Sequence, residues 1–168
     1  SNRWAKKNLI KEAKARGISS ERLVFQPKMV KDRDSQQRYL SQFTQADLYL
    51  DTFIYGGGST AANALWAGLP VLTLIGQGLT TRMAASYLNA LGLFELITTT
   101  SKDYERLAFE LSKNPERLAL LKQKLADEIK SEKLFANTIL TQYIESGYQQ
   151  AYQRYFNGKN PSPIYISE

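Results

Sequence analysis

The middle of the chain reads Ala46-Asp47-Leu48-Tyr49-Leu50-Asp51-Thr52, then Tyr55-Gly56-Gly57-Gly58-Ser59-Thr60, then Leu65-Trp66-Ala67-Gly68-Leu69-Pro70-Val71-Leu72-Thr73-Leu74-Ile75. Residues 47–51 and 70–75 are short apolar runs bounded by turn formers, which is how buried strands read. Between them a helix opens at Ser59 and Thr60, runs through Leu65 and Trp66, and stops at Gly68. A strand, a helix and a second strand in immediate succession form a crossover unit, so the two strands lie parallel in one sheet.

The same alternation continues on both sides. Upstream, residues 3–16 read as a helix ended by Gly17, Leu23-Val24-Phe25 as a short buried strand closed by Pro27, and 33–44 as a polar helix. Downstream, a helix is expected over 79–91 and a short strand at Leu96-Ile97. From 101 onward the pattern is only helical. Tyr104, Leu107 and Leu111 share one face, Asn114 caps the next helix with Pro115 at its first position, and Leu118, Leu121, Leu125 and Ile129 form that helix's apolar stripe. A last helix over 134–156 carries Phe135, Ile139, Tyr143, Tyr148, Tyr152, Tyr155 and Phe156, and 158–163 is a loop. No internal period occurs, which excludes a repeat array. The expected fold is α/β, a Rossmann-like parallel sheet with helices on both faces and a helical tail. Residues 1–168 are read as one domain, with 101–168 as its helical extension.

Composition narrows the chemistry. The 168 residues, 43% hydrophobic and 23% charged, suit a soluble globular domain with a real core. There is no cysteine, which excludes disulfides and thiol nucleophiles, and no histidine, which excludes a Ser-His-Asp triad or a His base from this chain. An enzymatic base here is a carboxylate, a lysine or a tyrosine, or lies elsewhere. The 22 basic and 16 acidic residues give +6, but the basic residues are scattered among acids. That pattern describes a solvated surface and not a nucleic-acid face. No apolar run reaches the ~20 residues of a membrane helix and no signal peptide opens the chain, so a cytoplasmic location without membrane or nucleic-acid partners is expected.

The glycine triplet sits at the carboxyl end of a parallel strand, where open α/β sheets bind ligands. Glycine lets a ligand approach the backbone, and a helix starting at Ser59 and Thr60 offers N–H groups and hydroxyls to a phosphate. Asn63 falls one turn further on. The motif is neither a Walker loop nor a dinucleotide fingerprint, and a tight turn with a Ser cap explains it equally. Asp32-Arg33-Asp34 has the spacing of carboxylates that hold Mg²⁺ beside a diphosphate, yet its polar surroundings fit a solvated loop better. Tyr39 either stacks on a base or covers the core. Arg82 either meets an anion or makes a surface ion pair.

Arg22-Leu23-Val24-Phe25-Gln26-Pro27, the blocks at 46–52 and 55–60, Leu65 to Thr73, Thr81-Arg82-Met83-Ala84-Ala85-Ser86, Leu91-Gly92-Leu93 and Tyr152-Gln153-Arg154-Tyr155 follow one another in order. Together they resemble the C-terminal catalytic lobe of O-linked N-acetylglucosamine transferases and their SPINDLY-like and bacterial relatives, glycosyltransferase family 41, over about 4–166. The resemblance implies the second half of a GT-B fold, binding the nucleotide of a UDP-sugar, commonly UDP-N-acetylglucosamine. It also implies a first lobe and protein-gripping tetratricopeptide repeats upstream. A Ser or Thr hydroxyl of an acceptor protein would displace UDP, inverting and without a metal or any cofactor beyond the donor substrate. Carried over, the family's phosphate-binding hydroxyl pair falls on Ser59 and Thr60 behind Gly57 and Gly58. The ribose-holding acid is Asn63 here, which keeps an acceptor oxygen but lacks the charge. A histidine that many relatives place before the hydroxyl pair is Gly58, and one near the uracil aligns with Tyr39. Met29 would lie by the base and Lys31 by the phosphates. No catalytic base is assigned to this chain, which by itself is expected to be inactive as a transferase. Asn63, Gly58 and the tyrosine-rich last helix also suit a second class, a degenerate lobe serving as a protein-interaction module. A dinucleotide-dependent oxidoreductase would need a fingerprint that is missing.

Overall fold

The structure, a computed structural model, describes residues 2–26, 34–130 and 137–166. It forms two compact units, 1–42 and 43–168. In the first, helix α1 (Arg3–Ala15) begins at Asn2, whose Oδ1 accepts the Trp4 amide at 2.9 Å, and it ends where Gly17 takes φ +76°. The strand expected over Leu23-Val24-Phe25 is not formed. A 3-10 turn occupies Ser20–Arg22, Leu23 is extended, and among the described residues these three join no sheet. β propensity reflects fit to a partner's pleated surface, and this apolar triplet has none among the described residues. Val24 stays 83% exposed, and the Phe25 ring lies under the Lys6 ammonium, 5.0 Å from it. Helix α2 (Ser35–Phe43) falls inside the span read for it. Pro27, Asp32 and Arg33 lie outside the described residues.

The second unit carries the expected parallel sheet. Strand β1 (Tyr49–Leu50), helix α3 (Ser59–Trp66), strand β2 (Val71–Leu74), helix α4 (Met83–Ala90) and strand β3 (Ile97–Thr98) follow in turn. The strand order is β1-β2-β3, all parallel, with Tyr49 opposite Val71 and Thr73 opposite Ile97. Helices α3 and α4 pack on β2 and on each other. Helix α5 (Ser101–Lys113) packs on β2 and β3 and is backed by α6 (Pro115–Lys130). The edge strands are shorter than their apolar runs because only the residues facing β2 find ladder partners.

The helix read over 79–91 is interrupted. A 3-10 turn spans Leu79–Thr81, and α4 starts at Met83. The Thr81 hydroxyl donates to the Gly78 carbonyl at 2.8 Å, a local bond that competes with helix continuation. The next strand is shifted by one residue, with Leu96 ending a 3-10 turn.

Leu65, Leu72, Leu88, Leu91, Leu93 and Leu96 are fully buried between the crossover helices and the sheet. Each such side chain stabilises the fold by about 2 kcal/mol through its burial. Tyr104, Leu107 and Leu111 of α5 and Leu121 and Leu125 of α6 are buried, as their spacing predicts. Helix α7 (Asn137–Phe156) starts within the span read for it, Phe135 lying outside the described residues. Tyr148, Tyr152, Tyr155 and Phe156 on it are exposed, and Gly158 ends it at φ +66°. No helix among the described residues is long and apolar enough to cross a membrane.

Candidate functional site

The carboxyl ends of the three strands meet in a buried polar network. Asp51 follows β1 directly. Its Oδ1 accepts the Thr52 amide at 2.9 Å and the Gly57 amide at 2.6 Å, and its Oδ2 accepts the Thr73 hydroxyl at 2.8 Å. The Thr98 hydroxyl donates to the Thr73 carbonyl at 2.8 Å, and the Tyr104 hydroxyl donates to the Asp51 carbonyl at 2.9 Å. Asp51, Thr73 and Thr98 are all buried, and among the described residues no buried side-chain polar atom lacks a partner. Burial, aided by the Asp51 carboxylate and the Tyr49 phenol, pushes the Tyr104 hydroxyl up to about 12.

Residues 52–58 form the loop above this network. The Thr52 hydroxyl donates to the Tyr55 carbonyl at 2.7 Å, and the Phe53 ring meets Tyr104 edge-on at 4.8 Å. Ile54 is held at φ +70°, a conformation that costs a β-branched residue about 1–2 kcal/mol. A Cβ at Gly56 would stand 2.8 Å from the Thr80 carbonyl oxygen, and one at Gly57 would stand 2.9 Å from the Tyr49 hydroxyl. At these two positions the protein itself fills the space a side chain would need. Gly58 faces only the flexible end of Met83, 3.3 Å from a Cβ placed there.

Gly58 is the N-cap of α3 and makes no side-chain cap. Ser59 is the first helical residue and not the cap that the tight-turn reading supposes. The leading amides of α3, from Ser59 onward, have no acceptor within the helix, and the helix dipole leaves partial positive charge there. Ser59 and Thr60 are exposed, and Asn63, half-buried, stands one turn on along the same side. The structure thus gathers Gly57, Gly58, Ser59, Thr60 and Asn63 at one loop–helix junction. Tyr39 is on α2 in the first unit and half-buried. Met29 and Lys31 lie outside the described residues. Arg82 donates from Nη1 to the Gly76 carbonyl at 2.9 Å, which fixes the turn before α4.

The sequence reading passed over Asp51, Thr73 and Tyr104. The signal for the first two was available: polar residues at the carboxyl end of apolar strands, where open sheets gather function. Tyr104 reads as part of an apolar face, and nothing in its spacing reveals a partner at Asp51.

The domain is thus a parallel α/β sheet whose strand ends carry a glycine loop and a helix N-terminus without a side-chain cap. Residues 3–144 match the model of glycosyl transferase family 41, and the chain belongs to that family. It is 29% identical over 146 residues to a Petunia hybrida protein described as "Probable UDP-N-acetylglucosamine--peptide N-acetylglucosaminyltransferase SPINDLY", covering 87% of this chain and 15% of that protein. It is 31% identical over 143 residues to a Caenorhabditis elegans UDP-N-acetylglucosamine--peptide N-acetylglucosaminyltransferase, covering 85% of this chain and 12% of the relative. The solved O-GlcNAc transferase of Thermobaculum terrenum (mutant K341M) superposes with a TM-score of 0.77 at 29% identity, covering 89% of this chain and 28% of the other. The chain therefore spans a small part of the length of its relatives.

Proposed function

We propose that this chain is the donor-binding lobe of a protein O-glycosyltransferase that takes a UDP-sugar, UDP-N-acetylglucosamine first among them, and places the sugar on Ser or Thr hydroxyls. The observation that carries the reading is the uncapped start of α3 behind the glycine loop, at the strand ends of a family 41 domain. The names of the relatives supply the donor and the peptide acceptor.

In this reading the amides and hydroxyls of Ser59 and Thr60 receive the diphosphate, and Gly58 leaves its approach open. Asn63 offers its amide to a ribose hydroxyl through a weaker bond than a carboxylate makes. The acceptor hydroxyl oxygen forms a bond to the anomeric carbon from the face opposite UDP. The bond from that carbon to the diphosphate oxygen breaks, its electron pair staying on the oxygen, and configuration inverts. Preorganised α3 donors stabilise the charge that develops there, which does the work a metal does elsewhere. The acceptor's proton leaves to a base on a lobe that this reading places upstream, so the chain alone binds donor without transferring it.

Calorimetric titration of UDP into the chain tests the site. One-site binding is expected, about tenfold weaker in Thr60→Ala and in Ser59→Ala from the loss of charge-assisted hydrogen bonds, with unchanged melting because both side chains are exposed. Equal affinity in the variants overturns the assignment. No heat at millimolar UDP favours instead a lobe used for protein contacts, a reading that the exposed tyrosines of α7 support. With UDP-N-acetylglucosamine and a Ser/Thr acceptor peptide, mass spectrometry is expected to find no glycopeptide. Product formation sinks the claim that the chain alone is inactive.

A further inference from the structure

We infer that Asp51 is the positioning residue of this site. It turns the Gly57 amide inward, and so sets the first amide available to an anion at Gly58. The functional consequence rests on the donor-site reading, while the geometry does not.

A buried carboxylate persists only where donors satisfy it, and Asp51 has three: the Thr52 amide, the Gly57 amide and the Thr73 hydroxyl. The Gly57 amide is therefore spent on the protein at 2.6 Å and is not offered outward. The anchor is firm because Thr73 belongs to the central strand and Tyr104 holds the Asp51 carbonyl from α5. Without these bonds the Gly57 amide loses its inward acceptor, and a glycine peptide opposes reorientation less than any other. Ile54 at φ +70°, three residues before Gly57, shows that the loop is held against its own preference. A carboxylate behind an anion cradle would repel a diphosphate if charge were its role. Its presence is explained by the donors it aligns.

Amide hydrogen exchange of the ¹⁵N-labelled chain without ligand, followed by UDP titration, tests this. In the native chain Gly57 is expected to be protected, and UDP is expected to shift Gly58, Ser59 and Thr60 more than Gly57. In Asp51→Ala the protection is lost and UDP binds about tenfold more weakly. Asp51→Asn keeps an oxygen for both amides, so protection returns and affinity comes within about threefold of native. If the alanine variant does not fold, Thr73→Val, which removes the anchor of Oδ2, is expected to raise Gly57 exchange alone. Gly57 exchange that is fast in the native chain, or unchanged in both Asp51→Ala and Thr73→Val, overturns the inference whatever UDP does. UDP binding that is equal in native and Asp51→Ala chains but weakened by Thr60→Ala overturns it too, and leaves the donor site standing. A native chain that binds no UDP while Asp51→Ala still loses Gly57 protection overturns the donor site and upholds the role of Asp51 in the loop.

Discussion

Position 56 shows how little freedom the loop has. A Cβ there would come within 2.8 Å of the Thr80 carbonyl and 3.1 Å of Asp51 Oδ2, both held by the fold. At position 58 the nearest atoms are the terminal methyl and sulfur of Met83, at 3.3 and 3.4 Å, on a side chain with rotamers to spare. Gly56→Ala is therefore expected to destabilise the chain by about 2–3 kcal/mol, as overpacking against fixed atoms does. Gly58→Ala is expected to cost about 1 kcal/mol, from its N-cap position alone. Urea unfolding midpoints of the two variants give the comparison, and equal losses would remove close packing as the reason for glycine at 56. The triplet thus combines two requirements that look alike in sequence. Gly56 and Gly57 are small because the protein closes on them, and Gly58 is small at the mouth of the helix.

At the level of elements, the helices differ in how they begin. Asn2 caps α1, Thr100 caps α5, and Asn114 Oδ1 accepts the Arg117 amide at 2.9 Å at the start of α6. Helix α6 presses Leu121 and Leu125 into the core, so fraying at its start exposes apolar surface. Asn114→Ala is expected to cost about 1 kcal/mol in a chemical denaturation midpoint. An unchanged midpoint would mean that packing alone holds the first turn. The Asn114 cap, the 3.6-residue apolar stripes of α5 and α6 and the glycine stop of α1 were legible in the sequence, because they depend on neighbours within one turn. The Leu23-Val24-Phe25 strand was misread because a strand needs a partner that the triplet does not itself encode. The loop–helix junction at 57–63 was legible as a place. Its support by Asp51, Thr73 and Tyr104 was not, since those bonds join residues 22 and 53 positions apart that only the sheet register and α5 bring together.

Across the whole second unit, the line from Thr98 through Thr73 to Asp51 ties all three strand ends together, and Tyr104 ties α5 to the same point. This gives the chain an alkaline limit. Tyrosine ionises near 10 in an unfolded chain, whereas burial and the nearby Asp51 charge raise Tyr104 to about 12 in the fold. A group whose folded value lies above its unfolded value contributes stability that is fully present below pH 10 and is lost as pH rises through about 12. Within that window each pH unit removes up to about 1.4 kcal/mol. At pH 8, Tyr104→Phe gives up the hydrogen bond to the Asp51 carbonyl and is expected to be about 1 kcal/mol less stable than the native chain. By pH 11 the unfolded native chain gains from ionising Tyr104 and the variant has no such group, so the gap is expected to close. Urea midpoints of both chains at pH 8 and pH 11 measure it, and the other tyrosines and the lysines act alike in both. A gap of the same size at the two pH values would show that Tyr104 ionises as an exposed tyrosine does, and would detach α5 from the network at the strand ends.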